Sequence, residues 1–339
     1  MKQFKLYNNI VGWVVFAIAA ATYLMTMEPT ASFWDCGEFI STAYKLEVGH
    51  PPGAPFFMLA ARFFTLFASD PSLVAMMVNA FSAICSAFCI LFLFWTITHL
   101  SRKLVVKDNQ EVTTEKMIGI LGAGLIGSLA YTFSDTFWFS AVEGEVYAFS
   151  SLFTAVVFWA MLKWEDVADE PYANRWLILI AYLMGLSIGA HLLNLLTIPA
   201  LVLIYYFKKY EPSTKGIIMA LVISCVILAL ILYGIVPGFV EVAGWFELFF
   251  VNTLGFGFNS GTIFYALLLI GCLVWGIWES REMEGEHNYT RLNIAFLLSI
   301  FLLGIPYVGD RIPIWLGVFL FAILGVFLFK KREFFNVPL

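Results

Sequence analysis

Two carboxylates lie three positions apart in the segment Trp34-Asp35-Cys36-Gly37-Glu38-Phe39, just after the first apolar run. Residues at this spacing share a face if the segment is helical. One carboxylate could then act as a general base while the other orients an acceptor. Neighbouring acids also push one pKa upward, which suits proton transfer near neutral pH. The spacing fits equally well a pair of solvated loop acids near a helix start, so both interpretations stay open.

A rigid turn follows the acid pair in the segment Gly49-His50-Pro51-Pro52-Gly53-Ala54-Pro55. Its prolines and glycines favour a sharply bent backbone and fix His50 close in sequence to the acids. His50 could donate to a phosphate or act as an acid. The alternative is a simple entry turn for the next helix, in which His50 has no role.

A second acidic cluster, Glu143-Gly144-Glu145-Val146-Tyr147, precedes a later apolar run. Asp135 comes before it, and residues 134–145 contain no basic partner. Acids at the edge of a membrane without partners in their own loop are candidates for function. A hydrated loop is the alternative.

Three further polar positions interrupt apolar surroundings. His191 and Asn194 follow the break Gly189-Ala190-His191, where they could line a cavity or simply bond a helix turn. Arg311 follows Asp310 near the end of the chain and could bind a lipid phosphate or pair with that acid.

The elements that must position these residues are membrane spans. The chain of 339 residues is 61% hydrophobic and 13% charged, too apolar for a soluble domain. A span needs about 20 mostly apolar residues, and about ten candidates satisfy this. They lie near residues 9–27, 73–98, 117–133, 146–162, 176–190, 192–207, 216–236, 262–279, 293–308 and 313–329. The sequence therefore predicts an all-α polytopic helix bundle forming one domain over residues 1–339.

Basic residues fix a predicted orientation. All of the 19 lysines and arginines except Lys45, Arg62 and Arg311 fall in alternate gaps between the runs. The positive-inside rule places those gaps and both termini in the cytoplasm. Residues 28–72, 134–145, 237–261 and 309–312 then form the outer face. Within the first of these loops, Phe56 to Phe67 predicts an interfacial helix that carries Arg62 and presents Phe57, Leu59, Phe63 and Leu66 to lipid.

No cofactor motif is present in the sequence. Phosphate-binding glycine loops, Gly-x-Ser-x-Gly, His-Glu-x-x-His and Cys-x-x-Cys are all missing, and no basic arm indicates nucleic acid. The outer acids could hold a divalent ion, but their spacing requires no metal. We expect no required cofactor.

The ordered motifs Trp-Asp-x-Gly-Glu-Phe, Gly-His-Pro-Pro-Gly-x-Pro and Glu-Gly-Glu-Val-Tyr resemble a bacterial membrane-protein family whose vertebrate relatives are protein O-mannosyltransferases. The resemblance extends from about residue 5 to 330. That family is similar to the GT-C glycosyltransferases, which use a polyprenyl-phosphate sugar donor and have an acidic motif in the first outer loop. In the mannosyltransferases the two acids are commonly adjacent, whereas Cys36-Gly37 separates them here. Family members often continue into a soluble C-terminal region, so a chain that stops at Leu339 would be either a fragment or a short form.

The resemblance implies transfer of a mannose-like sugar from a polyprenyl-phosphate donor to an acceptor hydroxyl, on a protein, at the outer face of a bacterial inner membrane. We expect Asp35 to act as the base and Glu38 to act as its partner or to orient the acceptor. The expected substrate-binding residues are His50, Arg62, Glu143, Glu145, Tyr147, His191, Asn194 and Arg311. Partners would be the lipid-linked donor, a protein acceptor and membrane lipids, with no nucleic acid. The alternatives are a polyprenyl-lipid flippase or transporter, which would place polar groups at the bilayer midplane, and a non-catalytic scaffold.

Overall fold

The computed structural model describes residues 2–106, 111–281, 289–304 and 314–330, and these residues form helices, turns and loops without a strand. They belong to two compact units, Met1–Ile217 and Ile218–Leu339. The predicted all-helical class is confirmed.

The first unit contains the acid and histidine motifs. Its helices, in chain order, are α1 (Lys2–Thr26), α2 (Cys36–Lys45), α3 (Pro55–Thr65), α4 (Val74–Val105), α5 (Thr114–Thr132), α6 (Asp135–Ala141), α7 (Val146–Val167), α8 (Asn174–Ile188) and α9 (Ile198–Lys209). A short 3-10 helix, Leu192–Thr197, leads into α9, so the predicted break at His191 is confirmed. The helices of the second unit are α10 (Thr214–Ala229), which starts at the boundary, α11 (Val236–Leu248), α12 (Ser260–Arg281), α13 (Tyr289–Leu302) and α14 (Ile314–Lys330).

The described helices confirm an integral membrane protein in outline. By length and apolar composition, 6 described helices can cross a bilayer, or up to 7 if α5 and α6, bent by 67° at their junction, form one broken span. Each predicted span overlaps a helix. Several of those helices, such as α8 with 15 residues, are shorter than a bilayer crossing requires.

One predicted outer loop is wrong. Residues 237–261 were expected to be a loop, yet a 40-residue apolar helical stretch continues from Thr214 to Thr253. Pro237 usually ends a helix because its ring clashes with the carbonyl four residues earlier. Here a π-helical turn, Leu230–Ile235, directly precedes Pro237 and changes the local hydrogen-bonding pattern. The helix therefore passes through the proline.

Helix α4 is the central element of the first unit and packs against α1, α5 and α7. Small side chains such as Ala19, Ala83 and Ala87 are buried in the α1–α4 contact and let the backbones approach closely. The Tyr23 hydroxyl crosses this core and donates to the Thr132 carbonyl at 2.9 Å. Together these contacts fix the C-terminal ends of α1 and α5 and the N-terminal half of α4 beside the acidic motifs.

The helix predicted between Phe56 and Phe67 is present as α3. Leu59, Phe63 and Leu66 are exposed along it as predicted. Phe57 is not, because it is fully buried against Phe39 and Phe81. Pro55 occupies the first turn of α3, where its missing N–H costs nothing.

Packing of α5 on α4 supplies a stability prediction. A Cβ added at Gly124 would lie 2.5 Å from Thr98 Cγ2 and 2.9 Å from Phe94 Cε2, whereas one at Gly122 would meet nothing within 4 Å. Gly124→Ala should therefore lower the thermal midpoint in detergent through overpacking of about 1–3 kcal/mol. Gly122→Ala should leave the midpoint unchanged or raise it, because alanine favours helix. Equal effects of both variants would contradict this packing.

Candidate functional site

Asp35, Glu38 and His50 come together as the sequence predicted. His50 Nδ1 lies 3.2 Å from Glu38 Oε2, and its backbone N–H donates to Glu38 Oε1 at 2.6 Å. His50 Nε2 faces Asp35 Oδ2 at 4.0 Å. The imidazole therefore lies between two carboxylates, one closely bonded and one further away.

Local backbone geometry explains this arrangement. Asp35 is the N-cap of α2, but its side chain makes no capping bond. Glu38 is one turn further and accepts both bonds from His50, which lower the pKa of its carboxyl. Gly49 leaves room for this approach, since a Cβ there would lie 3.2 Å from Glu38 Oε1. Glu38 is thus held as an anion, while the half-exposed Asp35 carboxylate remains available.

Glu143 and Glu145 are buried, although the hydrated-loop interpretation would leave them in solvent. Each is only 6% exposed. Burial is the main cause that raises the pKa of Glu143, which also accepts hydrogen bonds from Ser32 and Cys36. Burial, with the nearby charges of Glu143 and Asp35, raises the pKa of Glu145 to about 7. Glu145 can therefore be protonated near neutral pH.

Gly144 and Asn79 hold this buried segment in place. A Cβ on Gly144 would lie 2.9 Å from Asn79 Oδ1 and 3.1 Å from Ile40 Cγ1, so only glycine fits against α4 and α2. Asn79 is fully buried and donates to the carbonyls of Glu28 and Thr30 at 2.6 and 3.0 Å. We did not single out Asn79 from the sequence, although an amide inside the apolar α4 run is itself an indication of a polar role.

His191 and Tyr147 form the far wall of the site, with ring centroids 5.4 Å apart. The Leu193 N–H donates to His191 Nδ1 at 3.1 Å, and burial lowers the pKa of His191. Its imidazole is therefore neutral with the proton on Nε2. Both residues line a small cavity of about 70 Å³ together with Asp35, His50 and Glu145.

The remaining predicted residues lie differently. Arg62 stacks over the Tyr44 ring at 5.1 Å and donates to Thr65. At 1.5 Å per residue, Arg62 lies roughly 10 Å along α3 from Pro55. Asn194 is buried and donates to Ser187 Oγ at 2.9 Å, which supports the helix-turn interpretation. Arg311 lies outside the described residues.

A metal could also be bound by the three residues of the acid–histidine cluster. Asp35, Glu38 and His50 each offer one ligand atom, all within 4.8 Å of one another. Oxygen and imidazole ligands of this kind suit several divalent ions. Glu38 would have to exchange its bonds with His50 for metal ligation, so the arrangement allows a metal and does not require one.

The fold and the site define a polytopic membrane protein with a carboxylate–histidine cluster at the ends of its helices. The description of the matching family is "Protein O-mannosyl-transferase TMEM260 N-terminal domain", and its match covers residues 35–214. The chain belongs to this family. The matched region begins at Asp35 and contains the whole candidate site.

Two relatives show the same similarity. The mouse "Protein O-mannosyl-transferase TMEM260" is 27% identical over 175 residues, which are 51% of this chain and 22% of the mouse protein. The protein of the same name from Dictyostelium discoideum is 26% identical over 200 residues, which are 57% of this chain and 22% of that protein. The chain thus spans about a fifth of the length of these relatives. No solved structure matches it.

The buried Glu145 should make stability depend on pH. Its folded-state pKa of about 7 lies above the ordinary 4.5, so folding favours the protonated acid. This stabilisation is complete below about pH 4.5 and is lost as the pH rises through 7. The thermal midpoint of wild type should therefore fall over this range more than that of Glu145→Gln. The exposed-loop variant Glu211→Gln should follow wild type, and parallel curves for wild type and Glu145→Gln would refute the assignment.

Proposed function

We propose that the chain is the membrane part of a glycosyltransferase that moves a mannose-like sugar from a polyprenyl phosphate to an acceptor hydroxyl, on a protein. One observation carries this proposal. A half-exposed carboxylate, Asp35, faces a buried Glu145 and a neutral His191 around one small cavity inside the family-matched region. The names of the two relatives support the same reaction class.

Asp35 would act as the general base. The acceptor oxygen attacks the anomeric carbon, its proton passes to the Asp35 carboxylate, and the bond from that carbon to the phosphate oxygen breaks. Polyprenyl phosphate leaves with the bonding electrons and is already a good leaving group, so one base and a few donors suffice. Glu38 is bound to His50 at Nδ1, which aims Nε2 towards Asp35 and fixes the position of the imidazole.

Donors for the phosphate and the sugar face the same cavity. His191 offers a neutral Nε2–H donor, and protonated Glu145 offers an O–H donor. Neither places a further negative charge next to the phosphate. Phe33 and Trp34 are 82% and 91% exposed beside Asp35, so their rings are free to contact an acceptor or a sugar face.

An apolar cavity suits the polyprenyl chain. It has a volume of about 660 Å³ and lies between α4, α5 and α7, with Leu93, Tyr131 and Phe158 in its wall. Leu193, two residues after His191, also lines it. A lipid phosphate near His191 could therefore extend its tail directly into this cavity.

The finer topology belongs to the same proposal. We infer about ten spans of GT-C type, a bacterial inner-membrane location, both termini in the cytoplasm and the acid–histidine cluster outside. Cysteine placed at the exposed Ser69 should react with an impermeant thiol reagent on intact cells, and cysteine placed at the exposed Ser213 should not. Labelling at position 213 alone would reverse the orientation.

Loss of the base should abolish transfer. Purified protein would be incubated with polyprenyl-phosphate mannose and an acceptor, and released polyprenyl phosphate measured. Asp35→Asn should reduce the release about 10²-fold or more, the usual scale for a general base, while binding of the donor persists.

Asp70→Asn is the matched control. Asp70 is an exposed acid later in the same loop region, where its side chain accepts from the Ser72 N–H. The amide oxygen of asparagine can keep this bond, so activity should equal wild type. Full turnover in Asp35→Asn would exclude Asp35 as base. Donor binding without any turnover in wild type would instead favour a flippase or transporter.

A further inference from the structure

A second cavity lies at the opposite end of the first unit from the acid–histidine cluster. It measures about 670 Å³, within the usual range for ligand sites, and opens between the first turns of α1 and the last turns of α4 and α7. Asn79 near the candidate site and Thr98 in the second cavity are roughly 28 Å apart along α4 at 1.5 Å per residue. The two sites are therefore separate.

Basic and acidic side chains share the wall of this cavity, and Asp166 and Glu170 are the acids. Lys5, Arg102 and Lys163 also line it, so the basic side chains outnumber the two acids. Arg102 is paired with Asp166 at 3.6 Å. Within the part of the chain that the structure describes, neither Lys5 nor Lys163 forms an ion pair.

We propose that this cavity binds a phosphate ester that carries a hydroxylated group. The ammonium groups of Lys5 and Lys163, which form no ion pair among the described residues, suit phosphate oxygens. The Glu170 carboxylate lines the same wall, is an acceptor and suits a hydroxyl of the ligand. An anionic phospholipid head group and a soluble ester such as glycerol 3-phosphate share this chemistry.

Native mass spectrometry of the full chain in detergent separates the two sources. One arm adds phosphatidylglycerol, with phosphatidylcholine as the comparison, and the other adds glycerol 3-phosphate. A retained adduct of phosphatidylglycerol but not of phosphatidylcholine indicates a lipid head group, and a saturable adduct of glycerol 3-phosphate indicates a free ester. In either case Lys163→Gln should weaken retention about tenfold or more, the effect of losing one charge-assisted bond.

Lys103→Gln is the matched control, because Lys103 is also on α4 near the cavity but pairs with Glu165 at 2.5 Å and does not line it. It should bind like wild type. Lys5→Gln, at an exposed position, is a second test that does not depend on the folding of Lys163→Gln. Absence of any adduct in wild type, or equal weakening by Lys103→Gln and by both cavity variants, would overturn the proposal.

Discussion

The close contact of Gly144 with α4 and α2 is the constraint on which the candidate site depends. Because residue 144 has no side chain, the Glu143–Glu145 segment can press against Asn79 and Ile40. Both glutamates are then removed from water and their pKa values rise. The Glu28 N–H also donates to the Val142 carbonyl at 3.0 Å, so this segment fixes the start of the first loop beside Asp35.

A second backbone contact closes the site from the other side. The Gly189 carbonyl accepts the N–H groups of Phe56 and Phe57 at 2.7 and 3.3 Å, which joins the start of α3 to the break before His191. The histidine at position 191 thereby faces the cavity that Asp35 and His50 line. Segments far apart in sequence thus form one site through main-chain contacts, and the side chains are left free for chemistry. The burial that makes Glu145 a donor near neutral pH is also what makes it sensitive to pH.

Many of the helices and the motifs of the candidate site could be predicted from the sequence, because apolar runs and turn residues act locally. The acid pair, the proline-rich turn and the break at His191 are all short-range features, and the structure contains each of them. Their meeting is a long-range property. Burial of Glu143 and Glu145 depends on Gly144 and Asn79, two residues separated by 65 positions whose contact no local pattern reveals. The helix through Pro237 was missed because proline usually ends a helix and the π-helical turn that accommodates it leaves no strong local pattern in the sequence.

The most direct test of the account is a structure of the protein with a non-transferable donor, a polyprenyl phosphonate that carries mannose. The account predicts that the phosphonate lies against His191 and Tyr147 and the polyprenyl chain in the apolar cavity between α4, α5 and α7. The anomeric carbon should face Asp35 with room for one hydroxyl oxygen between them. A donor bound with its sugar away from Asp35, or along another surface of the protein, would contradict it.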